Sequence, residues 1–176
     1  MEELVKRAKN NDEEAFDEII LSIEKEMYLI AKARLNSDDD IADAMQEAIL
    51  SCYKNIHKLR DNSLFKSWAI RILINKCNDI YKRRKRNIVS IEKDNIEIED
   101  KTNNESNLSF YILIRSLNEE EKTILTLYYY FKYTTKEISK ILKINENTIK
   151  SKIIRAKDKL KKEYGGEEAW KILIKY

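Results

Sequence analysis

Apolar residues at helical spacing run through most of the chain. Phe16, Ile19, Ile20, Ile23, Met27, Ile30, Ala31 and Leu35 recur at steps of three and four. That spacing gathers side chains on one face of an α-helix. Asn11 stands ahead of the stripe with Glu14 three residues on, which predicts an N-cap and a capping box. Ser-Asp-Asp-Asp at 37–40 predicts a stop and a restart. The serine is a capping residue, and the aspartates suit the positive end of the next helix. Ile41, Met45, Ala48, Ile49, Cys52, Tyr53 and Ile56 form a second stripe. It breaks at 57–63, where Asp61, Asn62 and Ser63 predict a turn. A third stripe carries Phe65, Trp68, Ala69, Ile72, Leu73, Cys77 and Ile80 on its inner face, and its helix ends in Lys-Arg-Arg-Lys-Arg at 82–86.

From 87 to 108 the helical period vanishes. The segment is acidic and rich in asparagine, with a weak alternation in IEKDNIEIE that is compatible with a short strand. It exceeds the ~12–15 residues usual for a connection inside a compact domain, so it reads as a linker. Helical spacing then resumes, first over about 108–116. Asn118 with Glu121 predicts a capping box before Ile124, Leu125, Leu127, Tyr128 and Phe131. Thr134 with Glu137 predicts another, before Ile138, Ile141 and Leu142. Lys-Ile-Asn at 143–145 turns the chain, and Asn145 caps a longer helix with Ile149, Ile153, Ala156 and Leu160 on one stripe. A short helix, a tight turn and a longer basic helix have the form of a helix-turn-helix. The fold class expected is all-α: two small helical domains joined by a flexible linker, the second a four-helix domain containing a helix-turn-helix. Their bounds are 1–86 and 108–164, with the linker at 87–107 and an extension at 165–176. The aromatic run Tyr128–Phe131 is expected in the core. In the extension, Trp170, Leu173 and Ile174 suit packing on the second domain or meeting a regulator.

Charge sharpens this picture. Over the whole chain the formal net charge is only +3, but it runs in blocks. Residues 1–50 carry 6 Lys+Arg against 14 Asp+Glu, residues 51–86 carry 11 against 2, residues 87–108 carry 2 against 6, and residues 132–163 carry 11 against 4. Two cationic blocks flanking an acidic one suggest two surfaces facing one polyanion, the footprint of nucleic-acid binding. The acidic first block repels DNA and asks for a basic protein partner instead. There is no proline, and the only glycines are Gly165 and Gly166. Turns must therefore rely on Asn, Asp and Ser. Cys52 and Cys77 lie on apolar faces and read as small buried hydrophobes. With one histidine and no paired cysteines, no metal site or cofactor is expected. No apolar run suffices to span a bilayer, and the first sixteen residues are too polar for a signal peptide, so a cytoplasmic protein is expected.

In the last long helix, Asn147, Thr148, Ser151, Lys152 and Arg155 are expected to face outward, where amide, hydroxyl and cationic donors meet bases and phosphates. With these residues placed, the chain resembles the extracytoplasmic-function group of bacterial RNA polymerase sigma factors. DAMQEAIL at 43–50 is similar to the family's DLVQE-type segment. LRDNSLFKSWAIRILINKCNDIYKRRKR at 59–86 resembles FRG-x-S-x-F-x-x-W-L-x-R-I-A-x-N with a basic end, matching at Arg60, Ser63, Phe65, Trp68, Arg71, Ile72 and Asn75. LNEEEKTILTLYYY resembles L-P-x-x-x-R-x-V-x-x-L-x-Y. The last stretch is similar to the family's recognition helix, matching at Thr148, Lys150, Ser151, Arg155, Ala156 and Leu160. Departures fall in turns: Asp61, Asn118 and Lys143 stand where the pattern has glycine, proline and glycine.

The resemblance implies a sigma factor of that type, not an enzyme, which directs core RNA polymerase to promoters and assists their opening. It implies that Asp43, Gln46 and Glu47 bind core polymerase, a role the acidic first block suits. The minus-ten element would fall to Arg60, Asp61, Asn62, Ser63, Phe65, Trp68, Arg71, Asn75, Lys76, Lys82, Arg83 and Arg84. An unstacked base needs a pocket, and the turn beside Trp68 offers one; stacking contributes ~1–3 kcal/mol per base. Trp68 equally suits the core by its period. The minus-thirty-five element would fall to Asn147, Thr148, Lys150, Ser151, Lys152 and Arg155. The acidic linker, with Glu97, Glu99 and Asp100, would run through polymerase channels as a mimic of nucleic acid. Expected partners are bacterial core RNA polymerase, promoter DNA and an anti-sigma factor, of the kind often bound to a membrane, with no small-molecule substrate and a monomer when free. The alternative is a stand-alone helix-turn-helix regulator, which would not need the first half and would usually dimerise. A helical enzyme is a third class, but no Gly-rich phosphate loop or nucleophile beside a base is apparent.

Overall fold

The computed structural model describes residues 1–88 and 105–164, and every regular element among them is helical. Residues 89–104, most of the segment read as linker and including Glu97, Glu99 and Asp100, and the extension at 165–176 lie outside the described residues. The chain divides into two compact units, Met1–Asn95 and Ile96–Tyr176.

The first unit holds α1 (Glu2–Lys9), α2 (Glu13–Lys32), α3 (Asp38–Asn55), two short 3-10 turns (Ile56–Lys58 and Asn62–Leu64) and α4 (Phe65–Ile88). Its first stripe is buried as read: Phe16, Ile19, Ile20, Ile23, Met27, Ile30, Ala31 and Leu35 all lie inside. Small side chains on α3, Ala44 and Ala48, are fully buried and let α4 approach closely. A fully buried Ile, Met or Phe contributes about 1.5–3 kcal/mol each, so these stripes dominate the unit's stability. Cys52 and Cys77 are buried between the same helices. Burial pushes their thiols up to about 12 and about 11, respectively.

Three details differ from expectation. The cap of α2 is Asp12, whose carboxylate accepts from Ala15 N at 3.0 Å, while Asn11 takes a left-handed backbone at φ 64°. The turn between α1 and α2 needs one residue in that region, and asparagine tolerates it. Ser37 occupies the cap position of α3 without a side-chain hydrogen bond. On α4 the inward positions are Phe65, Ala69, Ile70, Leu73, Ile74, Cys77 and Ile80, whereas Trp68 and Ile72 are half-buried. The reason is that α4 packs against both α3 and α2, so its buried face is broad and rotated past the single stripe.

The second unit holds α5 (Glu105–Ile114), α6 (Glu119–Leu125), a π-turn (Thr126–Tyr130), α7 (Thr135–Leu142) and α8 (Glu146–Tyr164). It is the expected four-helix arrangement, with α5 starting at Glu105, inside the segment read as linker. Both capping boxes form: Asn118 with Glu121, and Thr134 with Glu137. Capping hydrogen bonds from Thr134 hold the Glu137 carboxyl below its usual range. In the π-turn Phe131 N donates to Thr126 O at 3.1 Å, one residue further than an α-helix allows. Of the aromatic run only Tyr129 is buried; Tyr128, Tyr130 and Phe131 are half-buried and pack edge-to-face along the chain.

Candidate nucleic-acid interface

In the first unit the polar edge of α3 presents Asp43 and Gln46 to solvent. Glu47 does not stand alone. Its carboxylate meets Lys76 Nζ at 3.1 Å and Arg83 Nη2 at 3.6 Å, both on α4. Asp40, two turns earlier, meets Arg84 Nε. The structure thus joins a carboxylate read for polymerase with two cations read for DNA. Asn75 is exposed, as are Lys82, Arg83 and Arg84. Arg71 is half-buried; one guanidinium nitrogen, Nη2, has no hydrogen-bond partner among the described residues, and burial pulls the group below its usual range.

The turn between α3 and α4 is tethered. Leu59 is buried, and Arg60, Asp61, Ser63 and Leu64 are exposed. Asp61 Oδ1 accepts from Ser63 N at 3.0 Å and from Ser63 Oγ at 2.7 Å. Those bonds hold its carboxyl below the usual range. This Asx turn does what glycine does in the family pattern, and Asp61 needs no positive φ, its own being −117°. From α1, Lys9 Nζ donates to Leu59 O at 2.5 Å and Asn62 Oδ1 at 2.6 Å. A lone lysine ending a helix carries no signal in the sequence, and its role was not legible there. Phe65, expected at the DNA, is fully buried and cannot reach it. It supports Trp68 instead, with ring centroids 5.8 Å apart at 52°.

In the second unit α7 and α8 form the helix-turn-helix. Lys143 closes α7 in the left-handed region at φ 56°, ψ 39°, the position the family gives to glycine. Ser139 Oγ donates to Ile144 O at 2.6 Å and secures the turn. Asn145 caps α8, accepting from Asn147 N at 2.9 Å. Ile149, Ile153, Ala156 and Leu160 are buried as expected. Asn147, Lys150, Ser151 and Arg155 are exposed, and Thr148 is half-buried. Glu146 pairs with Lys150 at 2.9 Å and accepts from Thr135 Oγ1 at 2.8 Å, which together hold its carboxyl below the usual range. Lys152 departs from expectation: it is half-buried and turned back onto α6, where it meets Glu120 at 2.6 Å. Lys159 Nζ likewise donates to both carboxylate oxygens of the buried Glu121, at 2.7 and 2.9 Å. These pairs draw two cations of α8 away from a groove and toward its own domain.

Among the described residues no cluster of His, Cys, Asp or Glu could hold a metal ion, and no helix is long and apolar enough to cross a membrane.

The tethered turn and the helix-turn-helix fall in two regions with known counterparts. Residues 19–87 match Sigma-70 region 2, and residues 109–160 match Sigma-70, region 4. The chain belongs to the extracytoplasmic-function (ECF) group of bacterial RNA polymerase sigma factors. ECF RNA polymerase sigma factor SigM of Mycobacterium tuberculosis is 24% identical over 155 residues, covering 88% of this chain and 79% of that protein. ECF RNA polymerase sigma-E factor of Escherichia coli is 25% identical over 171 residues, covering 88% and 89%. Among solved structures, the sigma factor RpoE of Bartonella quintana, in complex with the anti-sigma factor NepR, aligns with a TM-score of 0.69 at 18% identity over 84% of this chain and 94% of that one. The protein is a transcription initiation factor of this type rather than a stand-alone regulator.

Proposed function

We propose a division of labour among the residues of this sigma factor. The turn Arg60–Leu64 and the adjoining face of Trp68 receive a base displaced from the minus-ten element. Arg71, Asn75, Lys76, Lys82, Arg83 and Arg84 follow the neighbouring phosphates. The first turns of α8, with Asn147, Thr148, Lys150, Ser151 and Arg155, enter the major groove of the minus-thirty-five element, and Lys152 sets the helix angle through Glu120. Asp43, Gln46 and Glu47 face core polymerase. Segments 1–86 and 108–164 act as the two modules, and the acidic segment 87–107 spans between them.

One observation carries this reading. Trp68 stays partly exposed beside a tethered, solvent-facing turn, while its neighbours Ala69 and Ile70 are fully buried. A large aromatic ring kept at the surface beside donors and acceptors suits a base that has left its stack. The test is promoter melting by holoenzyme, read by permanganate reactivity of unpaired thymines. Trp68→Ala should lower melting about tenfold or more, the equivalent of one lost stacking interaction of ~1–3 kcal/mol, and Trp68→Phe should retain most of it. Equal melting by all three proteins would refute the assignment.

The free chain is proposed to be a cytoplasmic monomer restrained by an anti-sigma factor, which a membrane anchor would suit. The similar RpoE structure is itself of a complex with an anti-sigma factor, which supports this partner class.

A further inference from the structure

Lys9 has no part in the assignments above. It ends α1, fifty residues before the turn in sequence, yet its ammonium reaches Leu59 O at 2.5 Å and Asn62 Oδ1 at 2.6 Å. The two acceptors flank Arg60 and Asp61, so one cation closes the base of the turn. Asp61 and Ser63 fasten its other side. Lysine has donors and no acceptor, so the Asn62 atom it meets must be the amide oxygen. The amide nitrogen is the end left over, and it has no hydrogen-bond partner among the described residues. Hydrogen bonds to a charged group are the stronger kind, and these two are part-buried.

We propose that Lys9 is a positioning residue for promoter opening. It holds the turn in its reading conformation and fixes the Asn62 amide so that its N–H donors alone are offered to the displaced base. The base preferred there is one whose free edge carries acceptors. This rests on the assignment of the turn to the minus-ten element. Without Lys9 the segment 59–62 regains conformations that must be given up when the base arrives, so the pocket binds more weakly and discriminates less.

The experiment uses holoenzyme reconstituted from core polymerase and the full chain. It transcribes a promoter pool randomised through the minus-ten element, and the transcripts are sequenced. Lys9→Met should lower transcription of the sequences preferred by the parent about tenfold or more and flatten base preference at one melted position. Lys9→Arg, which keeps donors in reach, should restore the preference. Asn62→Asp keeps an acceptor for Lys9 but replaces the amide donors with a carboxylate. It should switch the preference toward a base whose free edge presents an amino group, and away from thymine, rather than flatten it. A Lys9→Met pool with the yield and preference of the parent overturns the proposal. If Lys9→Met loses its helical circular dichroism, Asn62→Asp decides, and an unchanged preference there overturns the proposal. An Arg60→Ala pool identical to the parent's as well locates the failure in the assignment of the turn; an altered Arg60→Ala pool beside an unchanged Lys9→Met pool locates it in Lys9.

Discussion

The carboxylate of Glu47 on α3 and the ammonium of Lys76 on α4 meet at 3.1 Å, with Arg83 on the far side at 3.6 Å. A group suited to a basic protein partner therefore occupies two cations suited to DNA. The pair is well exposed, with 44% of the Glu47 side chain in solvent, so it adds little to stability, about 0–1 kcal/mol. Its weight is electrostatic. Glu47→Gln should leave the unfolding midpoint nearly unchanged and tighten binding of the free protein to non-specific duplex DNA. Each cation released to a phosphate should steepen the dependence of log K on log salt by about 0.9. Fluorescence anisotropy across a salt series measures the slope; an unaltered slope rules the exchange out.

Glu121 does three things at once. It is buried, it accepts from Asn118 N at 3.3 Å in the capping box, and it holds Lys159 of α8. Glu121→Ala should cost about 1–3 kcal/mol, because the capping box loses its carboxylate and the charge-assisted hydrogen bonds to Lys159 go with it. Amide hydrogen exchange should show the loss first in α6 and α8, and only weakly in the first unit. Uniform deprotection across both units would contradict this.

Two turn residues that depart from the family pattern should respond oppositely to glycine. Lys143 sits at φ 56°, where a side chain costs about 1 kcal/mol, so Lys143→Gly should stabilise by several tenths to about 1 kcal/mol. Asp61 sits at φ −117° and holds Ser63 through its carboxylate, so Asp61→Gly should destabilise the turn and raise its exchange rate. Urea unfolding measures the first and local hydrogen exchange the second.

The thiols of Cys52 and Cys77 are raised from 9.0 to about 12 and about 11 by burial. Their neutral form is the one the fold prefers. The stability this gives is fully present below pH 9 and is lost as pH rises toward 11–12, because the unfolded chain ionises first. The parent should lose more stability between pH 8 and pH 10.5 than Cys52→Ala/Cys77→Ala does, measured by urea unfolding. At neutral pH neither thiol should react with a thiol reagent until the protein opens.

Most of the helical skeleton was legible because apolar spacing and capping pairs are local. Asn118 with Glu121 and Thr134 with Glu137 lie within a turn of what they bind, and the Ile149–Leu160 stripe repeats within its own helix. Trp68, Ile72 and Lys152 were misplaced for a shared reason. Which side of α4 or α8 faces inward depends on partners distant in sequence, here α2 for α4 and Glu120 for α8. The Lys9 tether spans fifty residues and has no periodic signature at all. Asp12 displaced Asn11 as a cap because the backbone of the preceding turn took the asparagine for its left-handed position.

The extra residue in the π-turn at Thr126–Tyr130 is also an indexing device. One residue corresponds to about 100° of rotation about a helix axis. Removing a single residue between Leu127 and Tyr130 would let α6 continue in plain register, but it would swing everything downstream by more than a quarter turn. The helix that addresses the groove would then offer the wrong azimuth, with every one of its own side chains intact.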